Sequence, residues 1–400
     1  MLPYGCLPRR PLPRLAPGPS MRVALFTECY RPIVNGVVVS VVTFSGELAK
    51  LGNDVQIFAP AYPGHRDAEA NVHRLPSVSL PTRPRYPLAL PYSGVLLRRY
   101  FAAHPPDIVH AQHPFVTGRE ARRVARWVGC PLVFTYHTLI RAYAHYVPLP
   151  RPLVRPLAFR ISRDFANSAD VVVVPTRAVG EILRSYGVVR PLEAIPTGVD
   201  LDLIRTTSPA PMRPRFGVPE GVPLIAYTGR IAREKSIDTL ITALALLPPA
   251  HRDAHLLLVG GGPWYRHCRD LARTLGVADR VHFTGYLSRP DVFRCLADSD
   301  LFAFASLTDT QGVAVLEAMA HGLPPVAVAS GAVADIIRDG VDGLLVDPTP
   351  QALADGLARV LDCDSLRQTL AGHALRRAEQ FSAGRMAQRL VDLYQRLLNA

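Results

Sequence analysis

Asp309 and Glu317 stand with seven residues between them in "SLTDTQGVAVLEAMAHG", Ser306 to Gly322, a stretch that is otherwise strongly apolar. Two carboxylates can flank a scissile bond as acid and base, or each can grip a different part of one polyhydroxylated ligand. "DLFAFAS" reads as a strand ending near Ser306, "LTDTQG" as a loop with capping chemistry, and "VAVLEAMAHG" as a helix closing on Gly322. Asp309 then lies in the loop or cap, and Glu317 about a turn and a half into the helix. They are too differently placed for an acid/base couple, and the helix N-terminus between them favours an anion. The simpler assignment makes Asp309 an N-cap and Glu317 a surface residue. Against it, Val313, Val315, Leu316, Ala318 and Met319 surround Glu317, and a carboxylate in such company needs a partner.

The run Gly229-Arg230-Ile231-Ala232-Arg233-Glu234-Lys235 follows a strand and precedes the helical pattern "SIDTLITALALL". Cations at such a place can meet the phosphates of a nucleotide ligand. A basic run is more often a solvated loop, but lysine usage points the other way. The chain has two lysines, Lys50 and Lys235, against 43 arginines. Where arginine is the default cation, a lysine at 235 marks a point contact to a diphosphate that a planar fork would not fit. Gly261 and Gly262 in "VGGGP" let backbone approach a ligand closely, and "FTGYL" brings Tyr286 to the end of the next strand. Each is weak alone; together they line one side of a nucleotide cleft. His110, His113 and His137 end two strands, in "DIVHAQHP" and "FTYHT". His110 fits a structural role, and His137 is the better candidate for hydrogen-bonding a sugar or polarising a hydroxyl. With no helical H-x-x-x-H and no acidic cluster beside them, no metal site is expected. The triplets Asp200/Asp202, Asp298/Asp300 and Asp362/Asp364 read as turns or helix starts.

The elements that must hold these residues repeat. "MRVALFTECY" is a strand, Asn35-Gly36 a turn, "VVVSVVTFSGELAKLG" a helix closing on Gly52 and "DVQIFAP" the next strand; "DIVHAQ", "PLVFTYH" and "DVVVVPT" continue the series. Such β-loop-α-β repetition predicts a parallel, doubly wound sheet. A second series runs through "PLIAYTGR", "AHLLLVGGGP", "RVHFTGYL", "DLFAFAS", "LPPVAVAS" and "GLLVDP". The fold class is therefore α/β, with a first domain over 21–195, a linker over 196–217, a second domain over 218–375, and a C-terminal helix over 376–400 packing at the junction. Residues 1–20 carry Pro and Arg without the apolar core of a signal peptide; they are expected to be a disordered extension, with Met21 as the start. The Pro- and Arg-rich stretches "RLPSVSLPTRPRYPLALPYSGVLLRRYFAAH" and "VPLPRPLVRPLAFR" read as insertions rather than sheet strands. Two α/β domains normally take their ligand in the cleft between them.

At 400 residues, 48% hydrophobic and 20% charged, the chain is long enough for two globular cores. No apolar run reaches the roughly 18 residues a membrane span needs. The net charge of +12 lies wholly in residues 1–200, which hold 24 Lys and Arg against 12 Asp and Glu; residues 201–400 hold 21 of each. The basic half calls for an anionic partner, and either nucleic acid or anionic lipid would fit. No aromatic-basic recognition motif supports nucleic acid. Six scattered cysteines without C-x-x-C spacing read as reduced thiols of a cytosolic protein.

Together these motifs resemble family 4 of the retaining glycosyltransferases, of GT-B fold, over nearly the whole chain from Met21. The marks are "NGVVVSV", "GRIAREK", "VGGGP", "FTGYL" and "TDTQGVAVLEAMAHGLPPVA", the last matching the family's E-x7-E motif with Asp309 in place of the first Glu. Asp335 likewise stands where many relatives carry Glu. The resemblance implies that Gly36, Arg230 and Lys235 hold the donor diphosphate, that Glu317 binds the ribose hydroxyls and that Asp309 contacts the transferred hexose. It places the backbone of Gln311, Gly312 and Val313 at the sugar and phosphates, and His137 near the reaction centre. The implied mechanism retains anomeric configuration by front-face attack, with no essential metal and the nucleotide sugar as a substrate rather than a cofactor. "HAQHPF" and "TYHTLIRAYAHYVP", which include His113 and Tyr136, look like bacterial members that glycosylate lipids such as diacylglycerol. Arg83, Arg85, Arg98 and Arg99, interleaved with Tyr86, Leu88, Leu90, Tyr92, Leu96 and Leu97, suit docking on the anionic inner face of a cell membrane as well as a buried helix with a solvated arginine face. UDP-glucose is the favoured donor and GDP-mannose the alternative. An epimerase of sugar nucleotides would share the architecture without "GRIAREK" and the acid-x7-acid segment, and a scaffold without activity would have lost Lys235 or Glu317.

Overall fold

Val171–Val174 is four valines in a row, all buried. Uninterrupted apolar strands of this kind belong to parallel sheets covered on both faces, where every side chain meets a helix. In the computed structural model, which describes residues 20–33, 35–80, 83–90, 94–137 and 151–400, they form two such sheets. The first half runs β1 (Arg22–Phe26), α1 (Gly36–Lys50), β2 (Asp54–Pro60), β3 (Val72–Leu75), β4 (Ser77–Leu80), β5 (Arg83–Ala89), α2 (Gly94–Ala103), β6 (Ile108–Ala111), α3 (Val116–Val128), β7 (Leu132–Thr135), α4 (Arg151–Ala166), β8 (Val171–Val174), α5 (Arg177–Ser185), β9 (Leu192–Ala194) and α6 (Leu201–Thr206). The second runs β10 (Leu224–Thr228), α7 (Ile237–Ala245), β11 (His255–Val259), α8 (Tyr265–Thr274), β12 (Val281–Gly285), α9 (Arg289–Ala297), β13 (Leu301–Phe304), α10 (Val313–Ala320), β14 (Pro325–Val328), α11 (Gly331–Ala334), β15 (Leu344–Val346), α12 (Pro350–Leu361), α13 (Asp364–Gln380) and α14 (Ala383–Leu398). Their sheet orders are β3-β2-β1-β6-β7-β8-β9 and β12-β11-β10-β13-β14-β15.

Three local readings change. Asn35 is not in a turn: its side chain accepts from the Val38 N–H and caps α1, whose first residue is Gly36. The first Pro- and Arg-rich stretch does contain strands: it begins within β3, the edge of the main sheet, and then makes the antiparallel pair β4–β5. Proline is tolerated there because edge strands leave backbone donors unpaired in any case. The segment 376–400 divides inside α13, which packs on α10, while α14 returns to the first half. Met386, Leu390, Val391, Leu393 and Tyr394 of α14 are buried in one core with Val23, Leu25, Val41 and Leu48. At about 1.5–3 kcal/mol for each large side chain removed from water, this face anchors α14 far more strongly than helix propensity could.

The chain passes between the halves twice, and the two passages lie side by side. Val199 N–H donates to the Phe381 carbonyl at 2.9 Å, and Ala383 N–H to the Val199 carbonyl at 2.8 Å. Gly198 permits this approach, since a Cβ there would lie 2.4 Å from the Ala383 Cα. Residues 1–19 of the expected extension lie outside the described residues.

Candidate active site

Each sheet has a point where strand order reverses, between β1 and β6 in the first and between β10 and β13 in the second. Loops leaving the carboxyl ends of such strands diverge and open a crevice. The loop after β10 holds Arg230 and Lys235, and the loop after β13 holds Asp309, Gln311 and Gly312. Strand order thus brings together residues that are 74 positions apart: Lys235 Nζ lies 2.5 Å from Asp309 Oδ2. Asp309 Oδ1 accepts the N–H groups of Gln311 and Gly312 at 3.2 and 2.9 Å. Burial alone would push the Asp309 carboxyl up. The Lys235 ammonium and these two N–H groups outweigh it and hold the carboxyl below its ordinary range, so it is ionised at neutral pH. Arg230, half exposed, pairs with the buried carboxylate of Glu234, whose carbonyl accepts from Ser306 Oγ and Thr308 Oγ1 at 3.2 and 2.9 Å. The two loops are therefore knotted together. Lys235 is followed by Ser236 at φ 52, the one non-glycine among the described residues with a left-handed backbone. That conformation costs about 1–2 kcal/mol.

Helix α10 starts at Val313 with left-handed Gly312 as its cap, so Asp309 lies upstream of the cap rather than at it. Glu317 is buried, and its partner is Arg289: Arg289 Nη2 donates to Glu317 Oε1 at 2.6 Å, with its guanidinium over the Phe293 ring. Glu317 and Asp309 contact different cations. The triple glycine answers a tighter demand than ligand approach. A Cβ on Gly260 would lie 2.0 Å from the Gly229 carbonyl oxygen, and one on Gly262 2.2 Å from that of Ile231, so these glycines let the loop after β11 pass under the Arg230 loop. Gly261 carries the Tyr286 ring against it, and Tyr286 is 72% exposed.

Across the crevice, a Cβ on Gly36 would meet nothing within 4 Å, so the start of α1 is open. His137 follows β7, and its Nε2 donates to Gln112 Oε1 at 2.6 Å. His113 Nδ1 accepts from the Glu28 N–H at 3.1 Å, and its ring lies 6.4 Å from that of His137. Burial depresses the pKa of His113 to about 4 and that of His137 well below 6.5, so both are neutral at pH 7. His110 is structural, bonded to the Tyr394 hydroxyl and Thr135 Oγ1 at 2.6 Å each. Tyr136 is buried against Phe134, because the alternation that turns His137 outward turns its neighbour into the core. Among the described residues no group of three His, Cys, Asp or Glu side chains could hold a metal ion. Asp200 caps α6, Asp298 and Asp300 hold Arg213, Asp362 meets His251, and Asp364 opens α13.

Residues 34–203 match the family model described as Glycosyltransferase Family 4, and residues 210–377 match that described as Glycosyl transferases group 1. The alpha-monoglucosyldiacylglycerol synthase of Streptococcus pneumoniae is 30% identical over 81% of this chain and 75% of its own length. The chain belongs to glycosyltransferase family 4. A second relative of this glycosyltransferase, the GDP-mannose-dependent alpha-mannosyltransferase of Mycobacterium tuberculosis, is 31% identical over 82% of the chain and 84% of its own length. In backbone the transferase is similar to the sucrose-phosphate synthase from Thermosynechococcus elongatus, with a TM-score of 0.78 at 22% identity over 95% and 99% of the two chains. It is also similar to Anabaena HepE in complex with UDP and glucose, with a TM-score of 0.75 at 20% identity over 94% and 99%. Its two sheets are those of the GT-B fold, and it is a hexosyltransferase.

The transferase carries a basic outer face on its first half. On α2, Val95 and Leu96 are 81% and 63% exposed beside exposed Arg98 and Arg99. Arg98 lies over the ring of Trp127, at the end of α3, where Arg119, Arg123 and Arg126 are also exposed. Partial burial, and then the charges of Arg126, Arg119 and Arg123, depress the pKa of Arg122 in their midst. Leu97, read with this stripe, is buried. Arg83 and Arg85 lie on β5, and their side chains fall outside the described residues, as do Tyr86 and Tyr92. Sequence reasoning missed Arg289, Gln112, Glu28 and the α3 arginines. Arg289 had a signal: a cation at the first position of a helix opposes the macrodipole and needs a reason to be there.

Proposed function

We propose that this glycosyltransferase moves glucose from UDP-glucose to the hydroxyl of a membrane lipid such as diacylglycerol, with retention at the anomeric carbon. The observation that carries the donor half is the Lys235–Asp309 contact, where an ammonium and the N–H groups of Gln311 and Gly312 already converge on an anion. Lys235, Arg230 and the open start of α1 at Gly36 bind the diphosphate, Glu317 the ribose and Asp309 the hexose, with Tyr286 and Gly261 at the base. Gly262 and the backbone at Val313 complete that side. His137 and His113 face the acceptor. The bond from C1 to the β-phosphate oxygen breaks as the acceptor oxygen bonds C1 from the same face, and the acceptor proton passes to the departing phosphate. The cations and backbone donors stabilise the charge that develops there.

The acceptor half is supported by the α2–α3 face, where exposed Val95, Leu96 and Trp127 sit among arginines. Each arginine near an anionic bilayer contributes about 1 kcal/mol, so five give about 5 kcal/mol: a reversible dock rather than an anchor. No helix among the described residues is long and apolar enough to cross a membrane. The proposed dock is peripheral, on the cytoplasmic leaflet.

The test incubates the purified enzyme with radiolabelled UDP- and GDP-sugars and vesicles of diacylglycerol with phosphatidylglycerol or phosphatidylcholine. Labelled glucolipid from UDP-glucose, favoured by the anionic vesicles, is expected. Label only from GDP-mannose moves the assignment to a mannosyltransferase, and consumption of no donor with any acceptor refutes the reading.

A further inference from the structure

Four hydrogen bonds fasten the loop after β13 to the opposite half of the molecule. Thr310 Oγ1 donates to the carbonyl of His137 at 2.9 Å, and the Thr310 carbonyl accepts from Thr176 Oγ1 at 3.2 Å. Gln311 spends its whole amide on one residue: Oε1 accepts from the Thr197 N–H at 2.9 Å and Nε2 donates to the Thr197 carbonyl at 2.6 Å. Thr197 is tied in turn to Ser40 of α1, its Oγ1 donating to Ser40 Oγ at 2.9 Å. Gln311 is 5% exposed, so its amide cannot trade these partners for water without the halves moving apart. The residue before Thr310 is Asp309, whose carboxylate holds the N–H groups of Gln311 and Gly312 on one oxygen and Lys235 on the other.

We propose that Thr310 and Gln311 are positioning residues, a clasp that makes the placement of Asp309 and Lys235 against the acceptor side at His137 conditional on closure of the two halves. The proposal rests on the donor site assigned above. The loop has two sets of partners. Those in its own half, Glu234 and the Asp309 turn, persist whichever way the halves stand. The four bonds to His137, Thr176 and Thr197 exist only in the closed form. Four such bonds are enough to favour closure and few enough to be undone in each catalytic cycle. Because Thr310 holds the His137 main chain itself, the acceptor-side histidine and the donor-side carboxylate move as one. The donor is then poised for cleavage only when the site is shut, which limits its loss to water.

The test compares Thr310→Val, Thr310→Ser and Gln311→Met with the full-length wild-type protein, by UDP binding calorimetry, solution X-ray scattering, and the ratio of sugar transferred to donor hydrolysed. Thr310→Val should cut transfer roughly 10- to 100-fold, since a small misplacement of reacting groups suffices for that. It should weaken UDP binding far less than it cuts transfer, because the contacts to Lys235, Arg230 and Glu317 stay in one half and only that to the start of α1 depends on closure. It should also widen the solution radius and raise the hydrolysed share, while Thr310→Ser restores all of these. Wild-type transfer by Thr310→Val with an unchanged radius overturns the clasp, and so does an equal fall for the Ser and Val variants that tracks melting temperature. If wild-type enzyme uses no nucleotide sugar, the donor reading fails and scattering decides alone: Thr310→Val and Gln311→Met as compact as wild type overturn the clasp.

Discussion

Lys235 Nζ sits 2.5 Å from Asp309 Oδ2, and the other oxygen of that carboxylate takes two backbone N–H groups from the start of the loop into α10. The carboxylate occupies a seat for an anion, so on the proposed assignment an incoming diphosphate competes with it for Lys235. A compact ammonium fits this point contact and a guanidinium does not. Lys235→Arg should therefore lower the transfer rate by about 100-fold or more without change in melting temperature. Near-normal turnover would refute the point-contact argument. Asp309→Asn keeps the shape and removes the competing charge. Initial rates should show turnover reduced about 10-fold or more with the donor KM unchanged or lower.

Arg289 keeps Glu317 from being an uncompensated buried charge. Arg289→Met should weaken the ribose contact proposed for Glu317, which would be the same in ground and transition states, so the donor KM should rise about 10-fold with little change in kcat. The guanidinium is itself partly exposed, which keeps the stability loss to about 1–3 kcal/mol, below that of a fully buried pair. Steady-state kinetics and urea titration read the two effects; an unchanged KM would remove Glu317 from the ribose.

Gly36 begins α1 with open space where a Cβ would sit. Gly36→Ala should leave the fold as stable as before, or more stable by up to about 1 kcal/mol from helix propensity, while the added methyl blocks the helix start from the diphosphate. Activity should fall at least about 10-fold as the melting temperature holds or rises. Full activity would show that the donor does not approach this helix.

His110 and His113 are buried and neutral, with pKa values depressed to about 3 and about 4 from 6.5. The unfolded chain takes up protons near the ordinary histidine value and the folded chain does not. The stability these sites contribute is therefore complete above about pH 6.5 and lost as pH falls toward the folded values, at about 1.4 kcal/mol per pH unit for each. Urea midpoints should drop steeply between neutral pH and about pH 5, and His110→Gln, which cannot titrate, should remove at most about a third of this slope, since His137 is depressed as well. A flat profile over that range would contradict the buried neutral state.

The sequence by itself determined the central strands and the two α/β halves, because runs such as "VVVV" and "LLLV", all buried, form central parallel strands whatever surrounds them. It also singled out Lys235, through a composition in which lysine is rare. Only the tertiary structure decided what meets what. Lys235 and Asp309 are 74 residues apart, and they touch because β10 lies beside β13, an ordering that hydrophobic alternation along the chain does not encode. Gln311 reaches Thr197 across 114 residues, and α14 leaves the half that precedes it to close the core of the other. Local pattern records which face of an element seeks burial; the partner on that face is chosen by the packing of the whole chain.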